Sequence, residues 1–449
     1  MSDEVLPAAS VLLAFSASNV RSFRDDVQLS LLATSVAERQ IVRDVPWRAR
    51  GRHIGVLPVA GIFGANASGK TNVLRAMDDM RSHVLYSFRR GSPTGGVPTH
   101  PFRLDPRFLD APSSFEIDLV LDGVRHLYGF KVDNERILEE WAYHFPRGRA
   151  TLLFSRDRTG VELGARERSK SRAVLELLRP NALFLSTAAS AAHPLLLPLY
   201  GWFERNLLLA EADSRRVRQA FTAKMLDDDE SRHRVLALLR AADLGVTGAR
   251  VREMDAALKE RLDQAVRILS GADEKSESPE AIVEFDDFEV RLTHKGVQGD
   301  VELLPSDESL GTLVWFGLVG PVIDALAGGA VLLADELDAS LHPALVREIV
   351  RLFQDPETNT RRAQLLFNSH DVTVLGDTAA DRLLGRDQVW FTEKDDDGST
   401  RLYPLSDLGV RKDEAVARRY LAGRYGGTPI LSHAEFNRAA ELATTGEPS

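Results

Sequence analysis

The sequence contains no cysteine, which excludes a disulfide framework, thiol catalysis, iron–sulfur clusters and cysteine-bound zinc. A chain without thiols fits a reducing compartment, so we expect a cytoplasmic protein. Near the N-terminus Asp3 and Glu4 precede a short apolar stretch at 11–15, which has the wrong charge and too few residues for a secretory signal. A run of about 20 apolar residues is also missing, so we expect no membrane partner.

An excess of basic residues is missing too. Lys and Arg together number 56 against 66 Asp and Glu, a formal net charge of −10. This balance argues against nonspecific coating of nucleic acid, although a local basic patch stays possible. Hydrophobic residues at 44% and charged residues at 27% are typical of a soluble globular chain. The length of 449 residues predicts about three domains.

Alternating and apolar patterns predict strands in the first third of the chain. Strands are expected at 12–21 and 27–33, followed by an arginine-rich loop, and at 56–63. A helix should begin near Lys70. Alternation from Ser114 to Phe145, with turn residues at 122–123 and 133–134, predicts an antiparallel meander.

The middle of the chain changes to helical spacing. Between about 169 and 269 apolar residues recur every three or four positions, for example Val235, Leu238 and Leu239, and Leu258, Leu262, Val266 and Leu269. We interpret this part as a solvated helical insertion rather than a dedicated binding arm. A flexible loop is expected at 273–279.

The last third predicts a layered α/β core. A hairpin is expected at 288–293 and 301–304, then a helix from about Gly311. Apolar runs at 330–334 and 364–367 are typical of buried parallel strands. Parallel strands separated by helices indicate a βαβ core that binds ligands at the carboxyl ends of its strands.

The strongest motif lies between a predicted strand and a predicted helix. Residues 64–71 read Gly-Ala-Asn-Ala-Ser-Gly-Lys-Thr and fit GxxxxGK[ST]. Average composition produces this pattern in about one chain in a hundred of this length. The glycines let backbone N–H groups surround a β-phosphate, Lys70 neutralises β/γ oxygens, and the Thr71 hydroxyl ligates Mg²⁺. The predicted ATP-binding residues are Gly64, Asn66, Ala67, Ser68, Gly69, Lys70, Thr71 and Asn72.

A second chemical signal follows the apolar run at 331–334. Asp335 and Glu336 come directly after it, where a strand delivers both carboxylates to a phosphate site. Asp335 would hold Mg²⁺ through water, and Glu336 would act as general base on the attacking water. Alone, such a pair is more often the N-cap and first-turn charge of a helix, but the phosphate loop reverses that preference.

A histidine follows the second apolar strand. His370 lies in the polar segment Asn368-Ser369-His370-Asp371, from which it could reach a γ-phosphate. A lone histidine is usually structural or solvated, so His370 depends on its context.

The order of these residues resembles ABC-type ATPases of the SMC/RecF branch. In that branch a Walker A loop is followed far downstream by a signature motif, Walker B, a D-loop and a switch histidine. By resemblance the signature is 307–312 with Ser309 and Gly311, the D-loop residue is Asp338, and the switch is His370. The implied fold is α/β, an ABC-type P-loop NTPase head with a mixed sheet, an antiparallel β subdomain and a helical insertion.

The resemblance also implies a division of the chain. Residues 1–168 would form the N-terminal half of the head, and 169–285 the mainly helical insertion. Residues 286–392 would form the C-terminal half with the signature, Walker B, D-loop and switch, and 393–449 a tail subdomain.

More closely, the chain resembles ABC-type ATPases of prokaryotic abortive-infection and phage-defence operons. The resemblance runs from Asn19-Val20-Arg21-Ser22-Phe23 to the tail segments 389–394 and 420–429. There are departures: the signature lacks the LSGGQ wording, and spacing identifies no Q-loop glutamine. About 240 residues between Thr71 and Ser309 show no long heptad coiled coil, which argues against a cohesin-like tether.

This family context implies a mechanism. ATP and Mg²⁺ are the expected cofactors, and the partner is a second copy in a homodimer or higher homo-oligomer. Ser309 and Gly311 would complete the other protomer's site in trans. Lys70, Glu336 and His370 are the predicted catalytic residues, and Thr71 and Asp335 the metal ligands.

Three functions remain open. The favoured one is a sensor and gate for a separately encoded effector, a nuclease or toxin, in anti-phage defence; the roughly 80 residues after His370 are too few for the TOPRIM nuclease of related ATPases. The second is a DNA-repair or chromosome-maintenance ATPase that clamps DNA, suggested by Arg48/Arg50/Arg52 and Arg215/Arg216/Arg218, although such clusters are more often solvated surface. The third is an ATP-bound assembly scaffold with negligible turnover.

Overall fold

A computed structural model describes residues 10–49, 52–164, 171–212, 214–253, 288–378, 381–429 and 432–445. Two large sheets carry the architecture, one mixed and one antiparallel. The expected helical repeat at 258–269, the expected loop at 273–279 and Arg50 lie outside the described residues.

The strands in chain order are β1 Val11–Ser18, β2 Val27–Ser30, β3 Arg43–Ala49, β4 Arg52–Val56, β5 Val59–Gly64, β6 Ser113–Leu121, β7 Val124–Val132, β8 Ile137–Phe145, β9 Thr151–Asp157, β10 Gly160–Leu163, β11 Leu207–Ala210, β12 Val246–Glu253, β13 Phe288–Gly296, β14 Gly299–Leu303, β15 Val331–Ala334, β16 Gln364–Asn368, β17 Val389–Lys394 and β18 Thr400–Pro404.

The helices are α1 Lys70–Tyr86, α2 Pro106–Leu109, α3 Arg172–Leu177, α4 Phe184–Ser190, α5 Leu197–Arg205, α6 Arg215–Met225, α7 Asp229–Ala241, α8 Leu310–Gly328, α9 Pro343–Gln354, α10 Val416–Leu421 and α11 His433–Thr445. Short 3₁₀ turns lie at Val372–Leu375 and Leu405–Leu408.

The mixed sheet has the order β11-β15-β16-β5-β17-β18. Its first five strands are parallel, and only β18 pairs antiparallel. Along β5, Ala60 and Ile62 pack into one hydrophobic cluster while Val59 and Phe63 pack into another, so both faces of the sheet are covered. This burial on two sides explains the near-continuous apolar strands and confirms the predicted βαβ core.

The second sheet is antiparallel, in the order β10-β9-β8-β7-β6-β1-β2. It confirms the predicted meander, which occupies β6 to β8. Apolar residues of α1 pack in the same cluster as residues of both sheets. The buried Gln364 side chain joins β1 to the mixed sheet, since it accepts from the Leu12 N–H at 2.7 Å and donates to the Leu12 carbonyl at 2.9 Å. The fold class predicted from the sequence is therefore confirmed.

The predicted arginine-rich loop was wrong in part, because β3 and β4 form a hairpin there. Val45 and Trp47 are buried, and the Trp47 indole donates to the Phe145 carbonyl at 3.0 Å. The strand expected at 56–63 is likewise two strands, separated at Pro58, which lacks an N–H for a sheet ladder. Basic residues between the buried positions hid the alternation.

The segment expected as a helical insertion contains strands as well as helices. Its described residues include α3 to α7, but β11 pairs with β15 in the mixed sheet. Strand β12 forms a three-stranded sheet with β13 and β14, the latter two confirming the predicted hairpin. Part of this segment is therefore built into the mixed sheet, whereas the domain boundaries themselves stay predictions.

Helix α8 corrects the expectation that no long apolar run exists. Its 19 residues are long and apolar enough to cross a membrane by length and composition, with mean hydropathy 1.7 over an 18-residue window. Most of that window, 61%, is buried inside the protein, where α8 packs against α6 and α7. Burial in a protein core accounts for the apolar composition.

Candidate functional site

The phosphate loop joins β5 to α1. The chain turns at Ala67, with φ of 61°, and at Gly69, with φ of 104°, and α1 begins at Lys70. The Lys70 ammonium is buried and donates to the carbonyls of Gly64 at 3.0 Å and Ala65 at 3.1 Å. Burial lowers the pKa of Lys70, while the nearby carboxylates of Asp338, Glu336 and Asp335 oppose that shift. The loop and its lysine thus face an acidic edge.

Hydroxyl groups of the hairpin formed by β17 and β18 make hydrogen bonds to the phosphate loop. The Ser68 and Thr392 hydroxyls are 2.6 Å apart, and the Thr400 hydroxyl donates to the Ser68 carbonyl at 2.9 Å. A Cβ on Gly64 would lie 2.4 Å from Thr392 Oγ1, and one on Gly69 would lie 2.4 Å from Thr400 Oγ1. The two glycines are therefore required by close packing as well as by backbone geometry.

The β1–β2 connection is tied to the same place. Asn72 donates to the Ser22 hydroxyl at 2.8 Å, and Thr400 Oγ1 lies 2.8 Å from that hydroxyl. Arg21 pairs with Asp79 of α1 at 2.6 Å. The predicted nucleotide residue Asn72 thus holds Ser22, while Asn66 and Ala67 are exposed on the loop.

The carboxylates after β15 reach the same sheet edge. Asp335 is buried, and its backbone N–H donates to the Ala210 carbonyl at 3.1 Å. The fully buried Asn368, at the end of β16, donates through Nδ2 to Asp335 Oδ1 and to Thr71 Oγ1, the latter at 3.4 Å. The structure therefore brings Thr71 and Asp335 together through a shared amide.

This donor set suits Mg²⁺. Within the described part of the chain no cluster of three or more His, Asp or Glu side chains could hold a metal ion alone. One carboxylate and one hydroxyl, completed by water and substrate phosphate oxygens, is the arrangement that Mg²⁺ prefers in nucleotide sites. Thr71 and Asp335 are the residues that would hold it.

Glu336 has an unusual backbone. Its φ of 49° lies in the left-handed region, which is uncommon for a non-glycine residue and concentrates at functional sites. Its N–H donates to Asn368 Oδ1 at 2.6 Å, and its side chain is exposed. Asn368 thus fixes the conformation that presents the predicted general base.

Sequence reasoning missed Asn368, although it noted the polar segment that contains it. The available signal was its position directly after a buried strand, at the sheet edge where Asp335 also emerges. An asparagine there supplies two donors and an acceptor in one side chain.

The predicted D-loop residue Asp338 contacts the backbone of the predicted switch residue His370. Both carboxylate oxygens of Asp338 lie 3.2 Å from the His370 N–H. The His370 side chain is exposed and follows β16 at the same edge. The predicted pair is therefore adjacent, through the backbone of His370.

The predicted signature begins α8. Ser309 caps the helix, since its hydroxyl accepts from the Thr312 N–H at 3.1 Å. A Cβ on Gly311 would lie 2.8 Å from the Ser340 carbonyl. This glycine therefore allows α8 to approach the segment that follows β15. Ser309 and Leu310 are exposed. The role of the signature in trans stays a prediction.

A carboxylate also follows β11, whereas the Q-loop residue stays unassigned. Glu211 follows β11 at the same sheet edge as Asp335, 3.6 Å from Arg75 of α1. The arginine cluster on α6 is not a continuous surface row, because Arg218 is buried while Arg216 is exposed. The side chains of Arg48 and Arg52 lie outside the described residues.

The tail packs beside the phosphate loop. The Phe391 ring stacks on Tyr420 at 5.1 Å and on Tyr425 at 5.9 Å. Burial raises the pKa of Tyr420 to about 12. A Cβ on Gly427 would lie 3.6 Å from the Gly64 Cα. The expected hairpin turn at 395–398 joins β17 to β18 as predicted.

The chain was compared with known protein families and structures. A family model described as "AAA domain, putative AbiEii toxin, Type IV TA system" matches residues 59–376. No curated protein matches the chain. The match extends from β5 past His370 and so includes the phosphate loop, the signature and both carboxylates.

Solved structures of SMC heads are also similar to the chain. An SMC head bound to the C-winged helix domain of ScpA has 13% identity and a TM-score of 0.39, with 88% of this chain and 97% of that one covered. An SMC head domain from Thermotoga maritima has 12% identity and a TM-score of 0.37, with 88% and 98% covered. An SMC head from Pyrococcus furiosus with an extended coiled coil, bound to the C-terminal domain of ScpA, has 12% identity and a TM-score of 0.36, with 89% and 98% covered.

Proposed function

The chain belongs to the family of AAA domains described as putative AbiEii toxin of a type IV toxin–antitoxin system, and from this premise we propose that it hydrolyses ATP with Mg²⁺ as a homodimer that gates a separate effector. The observation that carries the proposal is the convergence of Thr71, Asp335 and Glu336 on the single side chain of Asn368. A phosphate loop, a metal-side carboxylate and a base at one sheet edge are the parts that phosphoryl transfer to water requires.

In the proposed reaction each group has one task. Backbone N–H groups of 65–70 and the Lys70 ammonium bind the phosphates at the N-terminus of α1. Mg²⁺, when bound, neutralises phosphate charge. Glu336 accepts the proton of the attacking water, and Asn368 keeps Glu336 and Asp335 in place. His370 lies on the switch segment and is proposed to face the γ-phosphate.

The dimer is proposed from the signature. Ser309 and Leu310 are exposed at the start of α8, and Gly311 lies against the D-loop segment. The N-terminus of a 19-residue helix favours an anionic ligand. A second copy would bring its own bound nucleotide to this helix end, so that each protomer completes the other's site.

The effector role rests on the family context. The family description names a toxin–antitoxin system, which supports a defence setting and a protein partner. In the described tail, Phe391 stacks on Tyr420, and Thr392 contacts Ser68 of the phosphate loop. We propose that ATP closes the dimer, hydrolysis reopens it, and the effector, a nuclease or toxin, responds to that change.

The test is the solution mass of Glu336→Gln, by light scattering, with and without Mg²⁺–ATP. Removing the base should trap the closed state, so the mass should double only with ATP. Wild-type ATPase activity and its loss in Glu336→Gln are measured in parallel. A mass that ATP does not change in a monomer would contradict the dimer, and wild-type protein without turnover would contradict the ATPase.

A further inference from the structure

Near the proposed site, Arg218 is buried and makes no ion pair with any residue that the structure describes. Arg218, in the first turn of α6, is 6% exposed. Its Nη2 lies 3.5 Å from the Ala212 carbonyl, a long contact, and its Nε is buried without a hydrogen-bond partner. Among the residues that the structure describes, no carboxylate oxygen lies within 4.0 Å of its guanidinium, the limit for a salt bridge.

This arrangement is unfavourable for folding alone. Taking a guanidinium out of water without a partner destabilises the folded state, whereas buried charges are normally paired. Burial lowers the pKa of Arg218, as does the neighbouring Arg215, while the Asp335 carboxylate opposes the shift. The unpartnered Nε–H of Arg218 is a donor that a ligand could use.

The location of Arg218 indicates which ligand. Together with Glu336, Ala339 and Ser340 it lines a groove between the start of α6 and helix α8. The wall on the α8 side is apolar, from Leu310, Val314 and Leu318. Arg215 and Arg216 line the α6 side of the same groove. This side is therefore basic and would attract an anion that lies near Glu336.

The arginine is also held firmly. A Cβ on Gly317 of α8 would lie 3.4 Å from the Arg218 Cβ, so the two helices are in contact there. Gln219 donates to the Leu313 carbonyl at 3.1 Å, and the Gly320 N–H donates to the Thr222 hydroxyl at 3.1 Å. Side chains on such a fixed pair of helices are preorganised, as electrostatic catalysis requires.

We propose that Arg218 is a catalytic residue of the ATP site, whose guanidinium contacts the γ-phosphoryl group in the same protomer as ATP is hydrolysed. This inference rests on the proposed ATPase function. Water oxygen bonds to the γ-phosphorus as the bond to the β–γ bridging oxygen breaks. ADP leaves with that oxygen and its electron pair, the water proton passes to Glu336, and Arg218 neutralises charge on the equatorial oxygens.

The electrostatic need is specific. Asp335, Glu336 and Asp338 lie close to Lys70, the cation of the phosphate loop. Glu211, at the same sheet edge, is paired with Arg75. Charge that develops on the γ-phosphoryl oxygens therefore meets several carboxylates. A guanidinium that is always protonated and presents several N–H donors suits such a transition state.

The experiment compares Arg218→Met, Arg218→Lys and the exposed α7 control Arg234→Met, in otherwise full-length protein. Measured quantities are kcat, the Kd for Mg²⁺–ATP, the thermal midpoint, and retention of a fluorescent ADP with aluminium fluoride. We expect Arg218→Met to lower kcat about 100-fold or more and to lose the aluminium fluoride complex, with the Kd for ATP changed about threefold at most. Its thermal midpoint should stay level or rise, because an apolar side chain replaces an unpaired buried charge.

Arg218→Lys keeps the charge and should retain intermediate activity, and the Arg234 control should resemble wild type. Guanidinium ion at low millimolar concentration should partly restore kcat in Arg218→Ala. Wild-type kcat in Arg218→Met, or a lower thermal midpoint with kcat falling only in proportion to the unfolded fraction, would overturn the proposal. Wild-type protein without turnover would instead refute the ATPase function on which it rests.

Discussion

The side-chain amide of Asn368 donates to the carboxylate of Asp335, with both groups buried at the edge of the mixed sheet. The same amide reaches Thr71 and accepts from the N–H of Glu336. The neutral side chain of Asn368 therefore links the phosphate loop to the carboxylates that follow β15. Networks of this kind are sensitive to the loss of a single member.

Replacing Asn368 with Ala should reduce kcat about 100-fold or more, because Glu336 would lose the bond that holds its left-handed backbone. Stability should fall by about 1–3 kcal/mol, since the buried Asp335 carboxylate loses a donor. Steady-state kinetics and urea unfolding measure both effects.

The matched control is Asn359, another buried asparagine that makes hydrogen bonds of 2.7–2.8 Å to backbone groups, after α9. Asn359→Ala should destabilise the protein similarly and leave kcat of the folded fraction unchanged. Equal kinetic losses in the two variants would refute a specific role for Asn368.

The hydroxyls behind the phosphate loop should affect nucleotide affinity. Thr392→Val and Thr400→Val remove the bonds to Ser68 while keeping side-chain volume, and each should raise the Kd for Mg²⁺–ATP about tenfold through a looser loop. Fluorescent nucleotide titration gives the values.

The Ser variants at both positions retain the hydroxyl and should stay near wild-type affinity. Thr187, buried with its hydroxyl 2.9 Å from the Leu183 carbonyl, supplies a Val control remote from the loop. An affinity loss in Thr187→Val as large as in Thr400→Val would show that general destabilisation, and not the loop, is responsible.

Completion of the site in trans predicts complementation. Ser309→Arg should abolish turnover by blocking the partner's nucleotide, and Lys70→Ala should abolish it by weakening phosphate binding. A mixture of the two variants contains heterodimers with one intact composite site, so activity should reappear at up to about half the wild-type rate per heterodimer.

The ATPase rate of each variant alone and of mixtures at several ratios tests this. Ser309→Arg with full activity, or mixtures no more active than their components, would exclude the composite site.

Acid sensitivity should reside partly in His83 of α1, which packs between Phe115 and Phe130 at ring distances of 5.8 and 5.6 Å. Burial lowers the pKa of His83 from 6.5 to about 4. The unfolded chain therefore binds the proton first, so the neutral ring's contribution is complete above pH 6.5 and is lost as pH falls toward 4. The loss amounts to about 3 kcal/mol.

Urea unfolding of wild type and His83→Leu at pH 7.5 and pH 5 measures the effect. The stability of the variant should fall less between the two pH values. His233→Leu, at an exposed position of α7, should follow wild type, and identical pH dependence in all three proteins would contradict the assignment.

The sequence allowed prediction of several elements whose pattern is local, although it missed the hairpin of β3 and β4. Strand β5, the turn to α1, the carboxylates after β15 and the histidine after β16 follow from apolar runs that end in polar residues. Strand β11 was missed because a four-residue apolar run beside helices has no strand period of its own. Its identity depends on pairing with β15, more than 120 residues later.

Side chains that work through distant partners were the hardest to predict. Arg218 reads as surface charge in the sequence, because arginine is rarely buried, and only the close contact with Gly317 reveals its position. Asn368 lies in the polar segment 368–371, in which the sequence analysis singled out only His370. Its importance arises from three groups that are brought together by strand order and not by spacing.

The hydrogen bonds between the phosphate loop and the hairpin of β17 and β18 have a consequence for protein synthesis. Ser68 and Thr392 are separated by 324 positions, and the Ser68 carbonyl and Thr400 by 332, so the loop emerges from the ribosome long before its support. A nascent chain that has not yet reached β18 lacks the hydroxyls that fix the loop, and we expect it to hold ATP weakly. Under the proposed dimer mechanism, we therefore expect nucleotide-driven pairing only after nearly all of the described chain has been translated, which would protect unfinished copies from premature assembly on the polysome.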